Sequence, residues 1–148
     1  MLRISKLTDY ATVVMTVLAE EPGEVFSAQA LAERARLELP TVSKLLKQLA
    51  QAQLVESFRG VNGGYRLARL PEQISVADIL VAMEGPFGMT ECSAHQGACG
   101  HEPHCGVSGN WRRVSEVIET TLRQMTLADM RRPPSPKRAT IPLRLATA

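Results

Sequence analysis

The sequence has little cysteine or histidine, three of each in 148 residues, and no long apolar run. A bilayer-spanning helix needs about 20 consecutive apolar residues, so no membrane partner is expected. The opening segment MLRISKLTDY lacks the apolar stretch and small-residue cleavage site of a secretory leader, which makes a cytoplasmic location the expectation. Thiols in that compartment stay reduced. An odd number of cysteines, all within residues 92–105, therefore reads as metal ligands or redox thiols and not as a disulfide framework. Internal repeats are missing. So are a Ser/His/Asp or paired-carboxylate constellation and any motif for a substrate pocket. These absences argue against an enzyme, a metalloenzyme included, and against a small-molecule substrate.

The charge is small overall, +2, but unevenly placed. Residues 1–70 hold nine Lys/Arg against seven Asp/Glu (+2), residues 71–130 three against eight (−5), and residues 131–148 five against none (+5). A basic front, an acidic middle and a basic tail hint at a polyanionic partner.

Leu7, Tyr10, Ala11, Val14, Val17 and Leu18 recur at helical spacing, which predicts an amphipathic helix over residues 5–19 that ends at Pro22-Gly23. Ser27 is placed to cap a short helix over 28–36, with Ala30, Leu31 and Ala35 inward. Pro40 suits the first turn of a third helix, which buries Val42, Leu45, Leu46 and Leu49 and runs to about residue 52. Two short runs, 54–59 and 65–68, flank Gly60-Val61-Asn62-Gly63-Gly64 and predict a hairpin. Ser75 caps a fourth helix with Asp78 in the capping-box position and Gly85 as its stop. Residues 86–108 show no usable period and are expected to form a loop. A long helix then starts near Asn110, with Trp111, Val114, Val117, Ile118, Thr121, Leu122 and Met125 on one stripe, and residues 126–129 open one more turn. Residues 131–148, with four prolines among basic and small residues, are expected to be disordered.

Three helices followed by a hairpin is the winged helix-turn-helix order. The fold expected is mainly α with a small β wing, a winged helix-turn-helix domain over 1–85 followed by a cysteine-rich loop (86–108), a long helix (109–130) and a tail (131–148). In such a fold the second helix of the pair enters the major groove with its N-terminal residues toward base edges. Here these are Thr41, Ser43, Lys44 and Lys47. The wing adds Arg59 and Arg66, whose guanidinium forks match phosphate oxygens. Gly63 and Gly64 free the wing tip of side chains, so that backbone can approach a duplex. Residues 39–69 carry five basic side chains against the single Glu56. Lysines alone would read as a solvated helix face. Helix pair, Pro-started helix and basic Gly-rich wing together read as an interface for double-stranded DNA. Tyr65 reads as a packing residue at the wing base.

Cys92-x6-Cys99-x5-Cys105 offers three soft thiolates with Gly97, Gly100 and Gly106 between and beside them. Thiolates select zinc, copper(I) or iron–sulfur clusters. The spacing differs from the tight Cys-x2-Cys of common structural zinc sites, while His95, His101 and His104 keep zinc open.

Several short signals in order carry a family resemblance: Leu7-Thr8-Asp9-Tyr10-Ala11, Arg59-Gly60-x-x-Gly63-Gly64-Tyr65-x-Leu67, the three loop cysteines, Trp111, and Thr126-Leu127-Ala128-Asp129. Over residues 1–130 the chain resembles the IscR/NsrR-type iron–sulfur winged-helix regulators. MLRISKLTDYATVV and the stretch from Cys105 to Trp111 look like the branch that regulates the SUF iron–sulfur assembly system. The resemblance implies a homodimer on a pseudo-palindromic operator, joined by the long helix as a dimerisation helix. It also implies a 2Fe–2S or 4Fe–4S cluster on Cys92, Cys99 and Cys105. One type of relative takes its fourth ligand from a histidine three residues after the last cysteine, where this chain has Ser108. Another uses an aspartate from the first helix of the partner, a position matched by Asp9, whose ordinary reading is a helix-start carboxylate complementing the dipole. Some relatives carry a glutamate where this chain has Ser43. A carboxylate accepts from cytosine N4 and serine is permissive, so their operator sequence does not transfer. The alternatives are a zinc-binding or thiol-redox winged-helix regulator, and an interaction adaptor that does not bind DNA.

Overall fold

The computed structural model describes residues 3–132. The expected disordered tail lies, from residue 133 on, outside the described residues. Helix α1 spans Lys6–Leu18, α2 Ala28–Ala35 and α3 Leu39–Gln51. Strands β1 (Val55–Phe58) and β2 (Gly64–Leu67) form an antiparallel hairpin, followed by a 3-10 turn at Pro71–Gln73 and α4 over Val76–Glu84. The fold class is the expected one, mainly helical with a two-stranded wing.

Local chemistry explains most element ends. Ser5 and Ser27 oxygens accept from the N–H groups of Thr8 and Ala30, filling one orphan donor at each helix start. Arg36 closes α2 in the left-handed region, with φ 55°, and turns the chain into α3, where Pro40 sits in the first turn. The capping box of α4 is complete: Asp78 N–H donates to Ser75 Oγ at 3.1 Å, and Ser75 N–H to Asp78 Oδ2 at 2.9 Å. Gly85, at φ 90°, ends α4.

One core holds these elements together. Met15 and Leu18 of α1, Leu31 of α2, Leu45, Leu46 and Leu49 of α3, and Ile79 of α4 are fully buried in it. Each such side chain contributes about 1.5–3 kcal/mol by leaving water.

The segment 86–108 differs from the expectation of an unstructured loop. It forms a helical turn, α5, at Glu91–Ala94 and a 3-10 turn at Glu102–His104. Its order comes from short polar contacts, such as Thr90 N–H to Ser93 Oγ at 2.8 Å, which carry no periodic apolar signature. The long helix, α6, runs over Ser108–Gln124 and so begins two residues before the expected Asn110. After it, α7 (Leu127–Arg131) opens with a capping box between Thr126 and Asp129. This last turn folds back: Leu127 N–H donates to Ile74 O and Val76 N–H to Met125 O, both at 2.8 Å, and the Leu127 side chain is fully buried in the head's core.

Candidate DNA-binding surface and cysteine loop

The helical period of α3 divides its residues. Val42, Leu45, Leu46 and Leu49 face the core, which leaves Ser43, Lys44 and Lys47 exposed and Thr41 half-buried. Neither lysine has an ion-pair partner among the described residues. The positions expected to meet base edges and phosphates thus lie together on one free face.

The wing is more occupied than its sequence suggests. Register places Glu56 opposite Arg66, and the Arg66 guanidinium binds the Glu56 carboxylate at 2.9 Å while lying 4.8 Å from the Phe58 ring centre. Arg66 is therefore already engaged within the hairpin. Arg59 is exposed in the turn and has no such partner among the described residues.

Gly63 and Gly64 have an internal reason for lacking side chains. A Cβ on Gly64 would fall well inside 3.0 Å of the Phe26 carbonyl, and one on Gly63 inside that distance of the Phe58 carbonyl. The first approach is close because Phe26 and Tyr65 exchange two backbone hydrogen bonds, at 2.9 and 2.8 Å, which add a third short segment beside β2. The outermost tip is instead Val61, fully exposed.

At the other end of the head, Cys92 is 7% exposed, and Cys99 and Cys105 are half-buried. Thr90 Oγ1 lies 3.3 Å from Cys92 Sγ. Cys99 lines an open cleft of about 410 Å³ with Gln96, Gly97, Gly100, Glu102 and Pro103. In kind, three thiols within one short segment suit an iron–sulfur core, though only Cys99 borders this cleft. Among the described residues no three His, Cys, Asp or Glu side chains converge on a single ion. Asp9 sits exposed in the first turn of α1 and is not gathered with the cysteines in the single chain. His95, His101 and His104 are solvent-exposed.

Two features of the loop escape sequence inspection. Ser115 of α6, 4% exposed, accepts from Met89 N–H at 3.1 Å, and Arg112 Nε donates to the Cys92 carbonyl at 3.3 Å. Arg112 also forms an ion pair with Glu102. The only sequence signal for these contacts is the place of Glu102, midway between Cys99 and Cys105.

The stripe on α6 faces outward along most of its length. Trp111 is 40%, Val114 41% and Val117 60% exposed, with Val107 and Met125 continuing the face. Ile118 and Leu122 line a groove of about 490 Å³ with Ile4, Leu80 and Phe87. No described helix is long and apolar enough to cross a membrane.

Known proteins agree with this architecture. Residues 4–133 match the family model Rrf2, described as an iron-dependent transcriptional regulator. The chain is 30% identical over 131 residues to the HTH-type transcriptional regulator NsrR of Bacillus subtilis (strain 168), covering 87% of this chain and 90% of that protein. Among solved structures it is similar to T. potens IscR (TM-score 0.63, 34% identity, covering 87% of this chain and 85% of that one). It is also similar to CymR, the global cysteine regulator of B. subtilis (TM-score 0.68, 29% identity, covering 88% and 97%). These relatives are transcriptional regulators and not enzymes. The chain belongs to the Rrf2 family of winged-helix, DNA-binding transcriptional regulators.

Proposed function

We propose that this regulator senses an iron–sulfur cluster held by Cys92, Cys99 and Cys105, and that it controls genes of SUF iron–sulfur assembly. The observation that carries the reading is the confinement of all three thiols to one segment, with Cys99 on an open cleft and Cys92 pinned to the foot of α6. The likeness to NsrR and IscR supports it. When bound, such a cluster supplies a centre that responds to oxidants and to small reactive ligands. Asp9 of the partner subunit is proposed as the fourth ligand, and Ser108 is not.

The chain's own residues do the rest. Thr41, Ser43, Lys44 and Lys47 read the major groove, and Arg59 with the backbone around Gly63 and Gly64 follows the phosphates. Arg66 acts chiefly by stiffening the wing through Glu56. The exposed apolar face of α6 is the seam of a homodimer, because a contiguous patch of this kind on a soluble chain marks an association surface. Two heads joined in this way suit a pseudo-palindromic operator. Cluster binding in the cysteine segment at the foot of α6 then biases the placement of the heads. Operator binding must in turn alter cluster retention by the same free energy.

The test is anaerobic purification with the visible spectrum, iron, zinc and acid-labile sulfide measured together. Iron with matching sulfide and a chromophore that triple replacement of the cysteines by alanine abolishes, leaving a folded dimer, is the expected result. Stoichiometric zinc without sulfide would overturn it. The likeness to CymR, a cysteine regulator, favours a second reading in which the same thiols respond to oxidation directly. A metal-free protein whose operator affinity changes on thiol oxidation would establish that one.

A further inference from the structure

The three cysteines lie on different pieces of backbone, Cys92 in α5, Cys99 before the 3-10 turn and Cys105 after it. One ion pair joins them. Glu102 N–H donates to the Cys99 carbonyl at 3.0 Å, and Cys105 N–H donates to the Glu102 carbonyl at 3.2 Å. The Glu102 carboxylate accepts from Gly97 N–H at 2.8 Å and pairs with Arg112, whose Nε holds the Cys92 carbonyl. Arg112 stands on the first turns of α6, beside Ser115, which holds Met89 at the entrance of the segment. The glutamate is well covered, its side chain only 14% exposed, so water weakens the pair less than it would at an open surface.

We propose that Arg112 and Glu102 are positioning residues that assemble the cysteine segment before any metal enters it, fastening all three cysteine backbones to the foot of α6. Neither residue is a ligand. Their effect is to keep Cys92 covered while Cys99 and Cys105 stay accessible, and to make the segment move with α6. The significance for sensing rests on the cluster reading above, but the contacts are made by the chain's own residues and can be tested in the metal-free protein.

The experiment is timed maleimide alkylation of the full-length, metal-free, reduced protein, with each cysteine resolved by peptide mass spectrometry. Burial slows modification by requiring local opening, so Cys92 in the unsubstituted protein should react at least about tenfold more slowly than Cys99 and Cys105. Arg112→Ala and, separately, Glu102→Gln should bring Cys92 to within about threefold of the other two. Gly97 N–H should lose hydrogen-exchange protection in both variants. Thermal unfolding and operator binding of the metal-free variants, read alongside, distinguish local loosening from general misfolding. Glu102→Gln is the control should Arg112→Ala fail to fold, since it changes no volume. Equal reactivity of the three thiols in the unsubstituted protein, or a Cys92 rate unchanged in both variants, would overturn the proposal. Neither result depends on whether the purified protein carries iron, so failure here is distinct from failure of the cluster reading.

Discussion

Glu84, the last residue of α4, accepts a hydrogen bond from the hydroxyl of Thr8 in the first turn of α1. The same carboxylate oxygen accepts from Ser5 N–H at 3.0 Å. An anion thus sits at the positive end of α1 and binds it to the end of α4, shortly before the cysteine segment.

The Thr8 hydroxyl, then the Ser5 side chain and, least, the Ser5 N–H hold the Glu84 carboxyl below its ordinary value of 4.5, against the opposing effect of burial. A depressed carboxylate contributes stability above its unfolded value and loses it as pH falls through the folded one. Glu84→Gln is therefore expected to destabilise the fold at pH 7, by less than about 1 kcal/mol because the group is exposed and screened, and so to lower the melting temperature slightly. The gap between the two proteins should close as pH drops below 4.5. Parallel melting curves across pH 3–7 would show that the charge has no role.

On the DNA face, Lys44→Ala and Arg59→Ala are each expected to weaken operator binding and to reduce the salt dependence by about one phosphate contact. Arg66→Ala should cost less affinity, since its guanidinium is already bound to Glu56. Fluorescence anisotropy over a salt series checks this. Unchanged affinity in both the Lys44 and Arg59 variants would remove α3 and the wing turn from the interface.

Gly64→Ala pushes a methyl group against the Phe26 carbonyl, a backbone atom that cannot swing aside. Overpacking of this kind costs about 1–3 kcal/mol, to be read by denaturant unfolding of the metal-free protein. Gly60→Ala meets no neighbouring atom but is strained by its φ of 108°. Near-neutral behaviour of Gly64→Ala would mean that the strand-like contact with Phe26 is not kept in solution.

Val117→Glu places a charge at the most exposed point of the apolar face on α6. It is expected to shift the protein from dimer to monomer in analytical ultracentrifugation while leaving the helical circular dichroism of the head intact. A dimer of unchanged affinity would move the seam elsewhere.

Most of the head was legible because its signals are local. Ser27, the Ser75–Asp78 box and Gly85 act within three or four residues of themselves, and each stands where the sequence predicts, as does the extra turn opened at residues 126–129. The apolar period of α3 likewise sorted its inner residues from its outer ones. The cysteine segment was less legible. Its turns rest on single polar contacts, and its pins, Arg112 and Ser115, come from the following helix.

The sequence by itself determined the order and approximate extent of α1 to α4 and of α6, the position of the wing and the concentration of thiols in one segment, since periodicity, caps and turn residues work over a few positions. Only the tertiary structure decided which groups were already spoken for. It paired Arg66 with Glu56 through strand register and required Gly64 because the Phe26 backbone passes beside it. It also buried Leu127 in the head, and left the stripe of α6 facing outward. Each of these depends on segments meeting across the chain, and such meetings are set by how the core closes, which no short stretch of sequence encodes.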